Sequence, residues 1–373
     1  MTDLEPILTL WQELHGNGVE YVLATIVRVE GSGYRKPGAM MIVAVDGRKC
    51  GTISGGCLEA EVAKKAFWYT EGGPVVRPYS TSADDGDVPY GMGCGGVVHL
   101  LLERSASALP FLERLDWAYR TRQSLAVATV LGGNAIGHRG FWPGSDLNEN
   151  ELTQIAATSY GGGRSFSEDL QWRAEGTVSV RAEFRAARPG LFVFGAGDDA
   201  MPLVRLARNL GWYVVLADGR SHLSTRARFP EAHEVHVVPA RGEFPLQLLA
   251  TDAAAVMTHS LEQDTYFLQS LLPLRLSYLG VLGPIQRTRD ILDAVALSRD
   301  GNRAEQLSER ESWTHRVHAP MGLDLGGDTP ADVALAIVAE IQQTLRGASG
   351  LALRTLREKL HGKSASAISL SAD

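Results

Sequence analysis

Short apolar runs and amphipathic segments follow one another along the chain, and their order differs between its two halves. From residue 188 onward, apolar runs of strand length alternate with segments whose apolar residues recur at helical spacing. This pattern predicts strands at 191–194, 213–217, 234–238, 253–258 and 278–282, and helices at 201–210, 244–249, 263–272 and 331–345. Such alternation is typical of an α/β protein with a doubly wound parallel sheet, so a Rossmann-like domain is predicted over residues 188–348.

The first half has a less regular order and more turns. Its pattern predicts helices at 3–17, 59–69 and 107–121, a weaker helix at 148–157, a loop at 160–165, and strands at 21–29, 39–45, 75–79, 97–102, 124–130 and 178–187. We therefore expect a mixed α/β domain over residues 1–187, with loops rich in cysteine and glycine. Residues 349–373 are basic and then rich in Ser and Ala, which predicts a partly disordered tail.

A dinucleotide-type glycine turn opens the second half. Gly195–Ala200 reads G-A-G-D-D-A, follows a predicted strand, precedes a helix, and is followed by a second strand that ends at Asp218. In this context Gly195, Gly197 and Asp218 are candidate binding residues for NAD or another nucleotide. Asp198 and Asp199, however, stand where a helix N-terminus would meet a pyrophosphate, and their charge would repel it. The fold is predicted; nucleotide binding stays open.

His259 follows the strand predicted at 253–258, at the edge where open α/β sheets place their ligands. Two interpretations remain: a hydrogen-bonded structural histidine, or a catalytic acid or base.

Two cysteines lie in glycine turns. Gly51–Glu59 reads G-T-I-S-G-G-C-L-E and places Cys57 after Gly55 and Gly56, while G-M-G-C-G-G at 91–96 places Cys94 before Gly95. Exposed amides around a thiol favour its thiolate form, and a helix is predicted to begin just after Cys57. The alternative is that both cysteines are small residues packed in tight turns.

A basic turn, Glu30–Gly38, lies between the first two predicted strands. It offers Arg35 and Lys36 beside backbone amides, a combination that suits a phosphate or another oxyanion. A plain loop with solvated charges is the alternative.

Composition narrows the possible functions. The 373 residues carry a net charge of −7 and show no basic stripe, which argues against nucleic-acid binding. The chain has three cysteines, an odd number that gives no framework of disulfide pairs, and this indicates a reducing compartment. The sequence has no apolar run long enough for a membrane span and no basic segment typical of a signal peptide, so we expect a cytoplasmic protein without a membrane partner.

Five segments together resemble the XdhC/CoxI family, which are accessory proteins for molybdenum hydroxylases such as xanthine dehydrogenase. They are G-S-G-Y-R-K-P-G-A-M-M-I-V (31–43), G-T-I-S-G-G-C-L-E (51–59), G-C-G-G (93–96), F-G-A-G-D-D-A (194–200) and P-M-G-L-D-L-G-G-D-T-P (320–330). The resemblance implies an N-terminal XdhC/CoxI domain followed by a Rossmann domain. Together the motifs are specific, although any one alone would not be.

The resemblance also implies a role. Family members bind molybdenum cofactor, help it acquire its terminal sulfur with a cysteine desulfurase, and help insert it into a molybdenum hydroxylase apo-enzyme. In this chain Arg35, Lys36 and glycine-turn amides would hold the phosphate and oxo groups. Cys57 or Cys94 would approach the metal as a soft ligand, with Cys57 favoured because of the helix that follows it. A homodimer is the expected assembly.

Two other functions compete with this one. A NAD(P)-dependent oxidoreductase would use the Gly195–Ala200 turn, with Asp218 favouring NAD and His259 as acid or base. It lacks a convincing acid–base pair beside a substrate pocket. A zinc protein would use Cys57, Cys94 and a histidine, but no paired C-x-x-C spacing supports it.

Overall fold

In a computed structural model, the chain divides into two compact units, Met1–Arg188 and Pro189–Asp373, and each is described here by itself. The structure describes residues 4–31, 33–80, 96–144, 150–171, 176–298 and 303–356. Most of the predicted tail, from residue 357, lies outside these ranges. Within them, no helix is long and apolar enough to cross a membrane.

The first unit is built on a five-stranded antiparallel sheet. Its strands, in the spatial order β3-β2-β1-β5-β4, are β1 (Tyr21–Glu30), β2 (Met40–Ala44), β3 (Lys49–Gly51), β4 (Val75–Ser80) and β5 (Val97–Arg104). The first seven residues of β1 are all buried, because this central strand is covered on both faces.

Three helices cover this sheet: α1 (Leu4–Gly16), α2 (Cys57–Tyr69) and α3 (Ser105–Thr121). Alternate residues of a strand point to opposite faces. Leu23 therefore packs in the cluster formed with α1 and α3, whereas Val22 packs in the cluster formed with α2. The sequence predicted all three helices within two residues of their observed ends.

A second sheet completes this unit. In the order β7-β6-β9-β8, its strands are β6 (Leu125–Val130), β7 (Arg139–Trp142), β8 (Phe166–Gln171) and β9 (Thr177–Arg185), and α4 (Glu151–Gly162) packs on one face. The prediction of a loop at 160–165 was wrong for residues 160–162, because these continue α4. Tyr160 holds that last turn through an edge contact with Phe184, with ring centroids 5.9 Å apart, and Gly163 ends the helix with a φ of 60°.

The second unit is a Rossmann fold, as predicted. Its parallel sheet has the order β12-β11-β10-β13-β14, formed by β10 (Gly190–Phe194), β11 (Tyr213–Asp218), β12 (Glu234–Val237), β13 (Ala253–Val256) and β14 (Tyr278–Val281). The helices are α5 (Ala200–Asn209), α6 (Leu261–Leu271), α7 (Ile285–Leu297), α8 (Arg303–Thr314) and α9 (Pro330–Arg346). Side chains of α5 and α9 pack in the core cluster on one face of the sheet, and those of α6, α7 and α8 in the cluster on the other.

One predicted helix of this unit is absent. Residues 244–249 form neither a helix nor a strand, and Phe244, Leu246 and Leu248 contact the core at every second position. Pro245 has no backbone N–H and disfavours a helical conformation at Phe244. The apolar residues here follow the period of a strand, so the helix prediction was wrong.

The segment before α9 covers the outer edge of the Rossmann sheet. His318 forms a parallel bridge with Gly280, donating its amide to Leu279 O at 2.9 Å and accepting from Val281 N at 2.9 Å. Met321 N also donates to Val281 O, at 3.1 Å. The exposed side of β14 is therefore paired along most of its length.

Candidate functional site: the glycine loops at one end of the first sheet

A buried carboxylate organises the loop before α2. Glu59, 7% exposed, accepts hydrogen bonds from the amides of Ile53 (3.0 Å), Ser54 (2.7 Å) and Gly56 (3.0 Å), and from the Ser54 hydroxyl. Burial alone would raise the pKa of Glu59, but these hydrogen bonds outweigh it and hold the pKa below its usual value. Glu59 is thus an ionised anchor that fixes the loop from behind.

The loop leads directly into the helix. Ser54 Oγ accepts from the amides of Gly56 and Leu58, both at 3.3 Å, so it satisfies one of the first donors of α2. Gly56 has a φ of 126°, a conformation that favours glycine. α2 begins at Cys57, which places that residue at the positive end of the helix dipole.

The outer side of this loop is open. Gly55 and Gly56 are exposed, and no atom of the described residues lies within 4 Å of where a Cβ would stand at either position. A ligand can therefore approach the backbone closely here. Neither Cys94 nor Gly95, the other predicted residues of this type, falls within the described residues.

The basic turn is anchored to the second sheet. Arg185 Nη2 donates to Gly38 O at 3.0 Å, and a Cβ at Gly38 would stand 2.4 Å from the Glu183 carboxylate. Gly38 has a φ of 97° and donates to Ile26 O at 2.8 Å. Lys36 is exposed and Arg35 half-buried, so these contacts fix the backbone that presents both cations.

The sheet brings the basic turn and the Cys57 loop to one end. The basic turn leads into β2, and the Cys57 loop leaves β3; these strands are antiparallel, with Met41 opposite Gly51. Val97, which begins β5 just after the Cys94 motif, pairs with Glu30 at the end of β1. The end of β1, the start of β2, the end of β3 and the start of β5 therefore share one sheet end.

The glycine turn of the Rossmann unit has a different environment. Gly195 has a φ of 132°, and a Cβ there would stand 2.4 Å from Met257 O, so only glycine fits. Asp218 is fully buried and accepts from Ala196 N at 2.7 Å and from the Arg220 guanidinium at 2.6 Å. Burial opposes ionisation of Asp218, but its bonds to Arg220 and the backbone hold the pKa below the usual value.

The two acids predicted to repel a pyrophosphate are both paired. Asp198 contacts Arg228 at 2.7 Å, and Asp199 contacts His259 Nε2 at 2.9 Å. The Asp199 carboxylate also lies over Gly197, where a Cβ would stand 2.5 Å from Oδ1. His259 itself is exposed, with a φ of 61°. Both acids beside the glycine turn are thus engaged with basic side chains of the same unit.

A partly buried carboxylate, not predicted from the sequence, lies beneath the glycine-rich segment before α9. Glu340 accepts from the Tyr278 hydroxyl (2.6 Å) and Gly322 N (2.7 Å), and contacts His318 Nδ1 at 3.0 Å. The rings of Tyr278 and His318 stack, with centroids 4.3 Å apart. Burial and then Glu340 raise the pKa of Tyr278. Glu340 therefore fixes the segment to the sheet.

No group of three or more metal-ligating side chains occurs within the ranges that the structure describes.

Comparison with known proteins finds one family match within each unit. Residues 191–341 match the family described as the XdhC Rossmann domain, and residues 14–80 match the XdhC and CoxI family. A Bacillus subtilis protein, named as a probable subunit of xanthine dehydrogenase, is 30% identical over 87% of this chain and 93% of its own length. The chain belongs to the XdhC and CoxI family.

Two further relatives extend the comparison. The "Molybdenum cofactor insertion chaperone PaoD" of Escherichia coli is 26% identical over 91% of this chain and 88% of its own length. A crystal structure described as a xanthine dehydrogenase from Bacillus halodurans has a TM-score of 0.67 at 28% identity, covering 93% of this chain and 96% of that one. The likeness therefore spans both units.

Proposed function

We propose that this chain is an accessory protein that binds molybdenum cofactor and delivers it to a molybdenum hydroxylase apo-enzyme. The observation that carries the proposal is the convergence of the basic turn, the Cys57 loop and the start of β5 at one end of the first sheet. The name of the PaoD relative, an insertion chaperone for this cofactor, supports it.

The residues at that sheet end fit the chemistry of the cofactor, a pterin dithiolene with a phosphate. Cys57 would supply a thiolate to the metal, since it begins a helix and follows two open glycines. The phosphate contacts fall to Arg35 and Lys36, because Glu59 occupies the amides of Ile53, Ser54 and Gly56. This changes the expectation that the glycine-turn amides would hold the anion.

The remaining parts of the proposal concern partners. A cysteine desulfurase would supply the terminal sulfur while the cofactor is bound, and the chain would turn over no substrate of its own. Cys94 and Gly95 would complete the site, because the chain enters β5 at Val97 beside the end of β1. The working assembly would be a homodimer.

An anaerobic titration with released molybdenum cofactor tests the proposal. Cys57→Ala should weaken binding at least about tenfold. Cys50→Ala is the matched control, because Cys50 is a half-buried thiol on β3 that packs in the cluster formed with α1 and α3, not in the cluster of the Cys57 loop and α2. Equal binding by the parent and both variants would refute the role of Cys57. No binding by the parent would refute the proposal itself.

A NAD(P)-dependent oxidoreductase remains the competing function. The pairing of Asp218 with Arg220 and Ala196 weighs against it, because a nucleotide ribose would have to displace these contacts. Titration with NAD(H) and NADP(H) separates the two functions. Tight NAD(H) binding without cofactor binding would favour the oxidoreductase.

A further inference from the structure

A row of charged side chains lies on the inner face of β9 in the first unit. Val180 and Ala182 point to the side covered by α4. Arg181, Glu183 and Arg185 therefore point to the opposite side, toward the first sheet. Charges on a covered sheet face are costly unless each is compensated.

The carboxylates of this cluster have partners. Glu103 is fully buried and forms a two-pronged ion pair with Arg139, at 2.7 and 2.5 Å. Glu183 contacts Arg185 at 2.8 Å. Arg181, in contrast, forms no ion pair within the described residues. Three guanidinium groups thus face two carboxylates, so the cluster has one excess positive charge.

A small cavity of about 10 Å³ lies between the two sheets at this point. Thr25, Thr129, Arg139, Arg181 and Glu183 line it, together with four apolar side chains. Three polar atoms of these residues are buried without a hydrogen-bond partner among the described residues: Thr25 Oγ1, Arg139 Nε and Arg181 Nε. Both guanidinium nitrogens can only donate, and the hydroxyl can donate as well. An occupant must therefore accept hydrogen bonds.

We propose that this cavity binds one monatomic anion of the halide class, chloride under ordinary conditions, through Arg181, Arg139 and Thr25. The anion compensates the excess charge and accepts from the three unpartnered donors. The polyatomic anions phosphate and sulfate are too large, because the volume holds a single small particle. The Glu183 carboxylate does not exclude the anion, since Arg185 neutralises it.

Bromide, which takes chloride sites and scatters anomalously, tests the proposal directly. Crystals of the full chain grown with sodium bromide should show an anomalous peak between Arg181 and Thr25. A cavity that holds only water, without an anomalous peak, would overturn the proposal.

Thermal unfolding provides the test in solution. With methanesulfonate keeping ionic strength constant, chloride should raise the unfolding midpoint of the parent by roughly 3 °C per tenfold increase above its dissociation constant. Arg181→Met and Thr25→Val should abolish this response. Arg120→Met, which removes an exposed arginine paired with Asp116, should retain it. If Arg181→Met does not fold, the chloride response of Thr25→Val still tests the site. A chloride response in Thr25→Val equal to that of the parent would refute the site.

Discussion

The glycine turns before α2 and before α5 look alike in sequence but differ in where their acids lie. In the Cys57 loop, Glu59 lies behind the turn and binds its amides from within, so the glycines face open space. In the Rossmann unit, Asp199 lies over the turn and is held there by His259. A glycine turn between strand and helix therefore predicts a fold; the position of the neighbouring carboxylates decides whether the turn is open to a ligand.

Replacing a glycine in each turn should give the largest contrast. Gly195→Ala would force a Cβ against Met257 O at a φ of 132°, so it should destabilise the second unit by about 3 kcal/mol. Gly55→Ala should change stability by less than about 0.5 kcal/mol but weaken cofactor binding. Denaturant unfolding and cofactor titration measure the two effects. Equal losses of stability in the two variants would contradict the proposed difference between the two turns.

Replacing Glu59, which anchors the Cys57 loop, should have the next largest effect. Glu59→Gln places an amide NH₂ against donors that now bind a carboxylate, so we expect a loss of about 2 kcal/mol. Glu61→Gln, which weakens a pair with Lys65 on the helix surface, should cost under about 0.5 kcal/mol. Denaturant unfolding compares the two variants. A Glu59→Gln protein as stable as the Glu61→Gln protein would show that the loop does not depend on its anchor.

A fall in pH should destabilise both turns for the same reason, the protonation of a carboxylate that the folded protein holds ionised. Glu59 and Asp218 have folded-state pKa values below their usual 4.5 and 3.8, so their stabilisation is present above those values. It is lost as the pH falls through the lower folded-state pKa values. Unfolding midpoints measured from pH 6 to pH 2.5 should fall less steeply in Glu59→Gln and in Asp218→Asn than in the parent. Unchanged slopes would contradict the assignment.

The smallest effect is expected at the pair that covers the Rossmann turn. Asp199→Asn breaks a contact with an exposed histidine, so stability should change by less than about 1 kcal/mol. Affinity for NAD(H) should rise in the variant, because a negative charge leaves the helix N-terminus. A calorimetric titration measures this change. Unaltered affinity would show that Asp199 does not close the turn.

Local signals in the sequence were sufficient for much of the fold. For α9, predicted at 331–345, the signals are a capping box of Thr329 and Asp332 and a closing Gly347, each of which acts within a few residues. The prediction of a helix at 244–249 was wrong because it gave the apolar residues more weight than Pro245. The last turn of α4 was missed because its support comes from Phe184, which lies on β9.

The candidate site was only partly predictable. Its motifs were visible, but their meeting at one sheet end depends on strand pairing between distant residues. Glu59 was part of a quoted motif, yet its role required the bend that turns its carboxylate toward Ile53. The hold of Arg185 on Gly38 joins residues 147 positions apart, and no local pattern encodes it.

The segment that Glu340 fixes also prevents other copies of the chain from pairing with the edge of the Rossmann sheet. An uncovered edge strand offers a row of unpaired backbone groups to which another chain can add, and β14 would be such an edge. His318 and Met321 occupy those groups, and Glu340 holds the segment in place. A chain that loses Glu340 should therefore aggregate at concentrations where the parent remains dispersed.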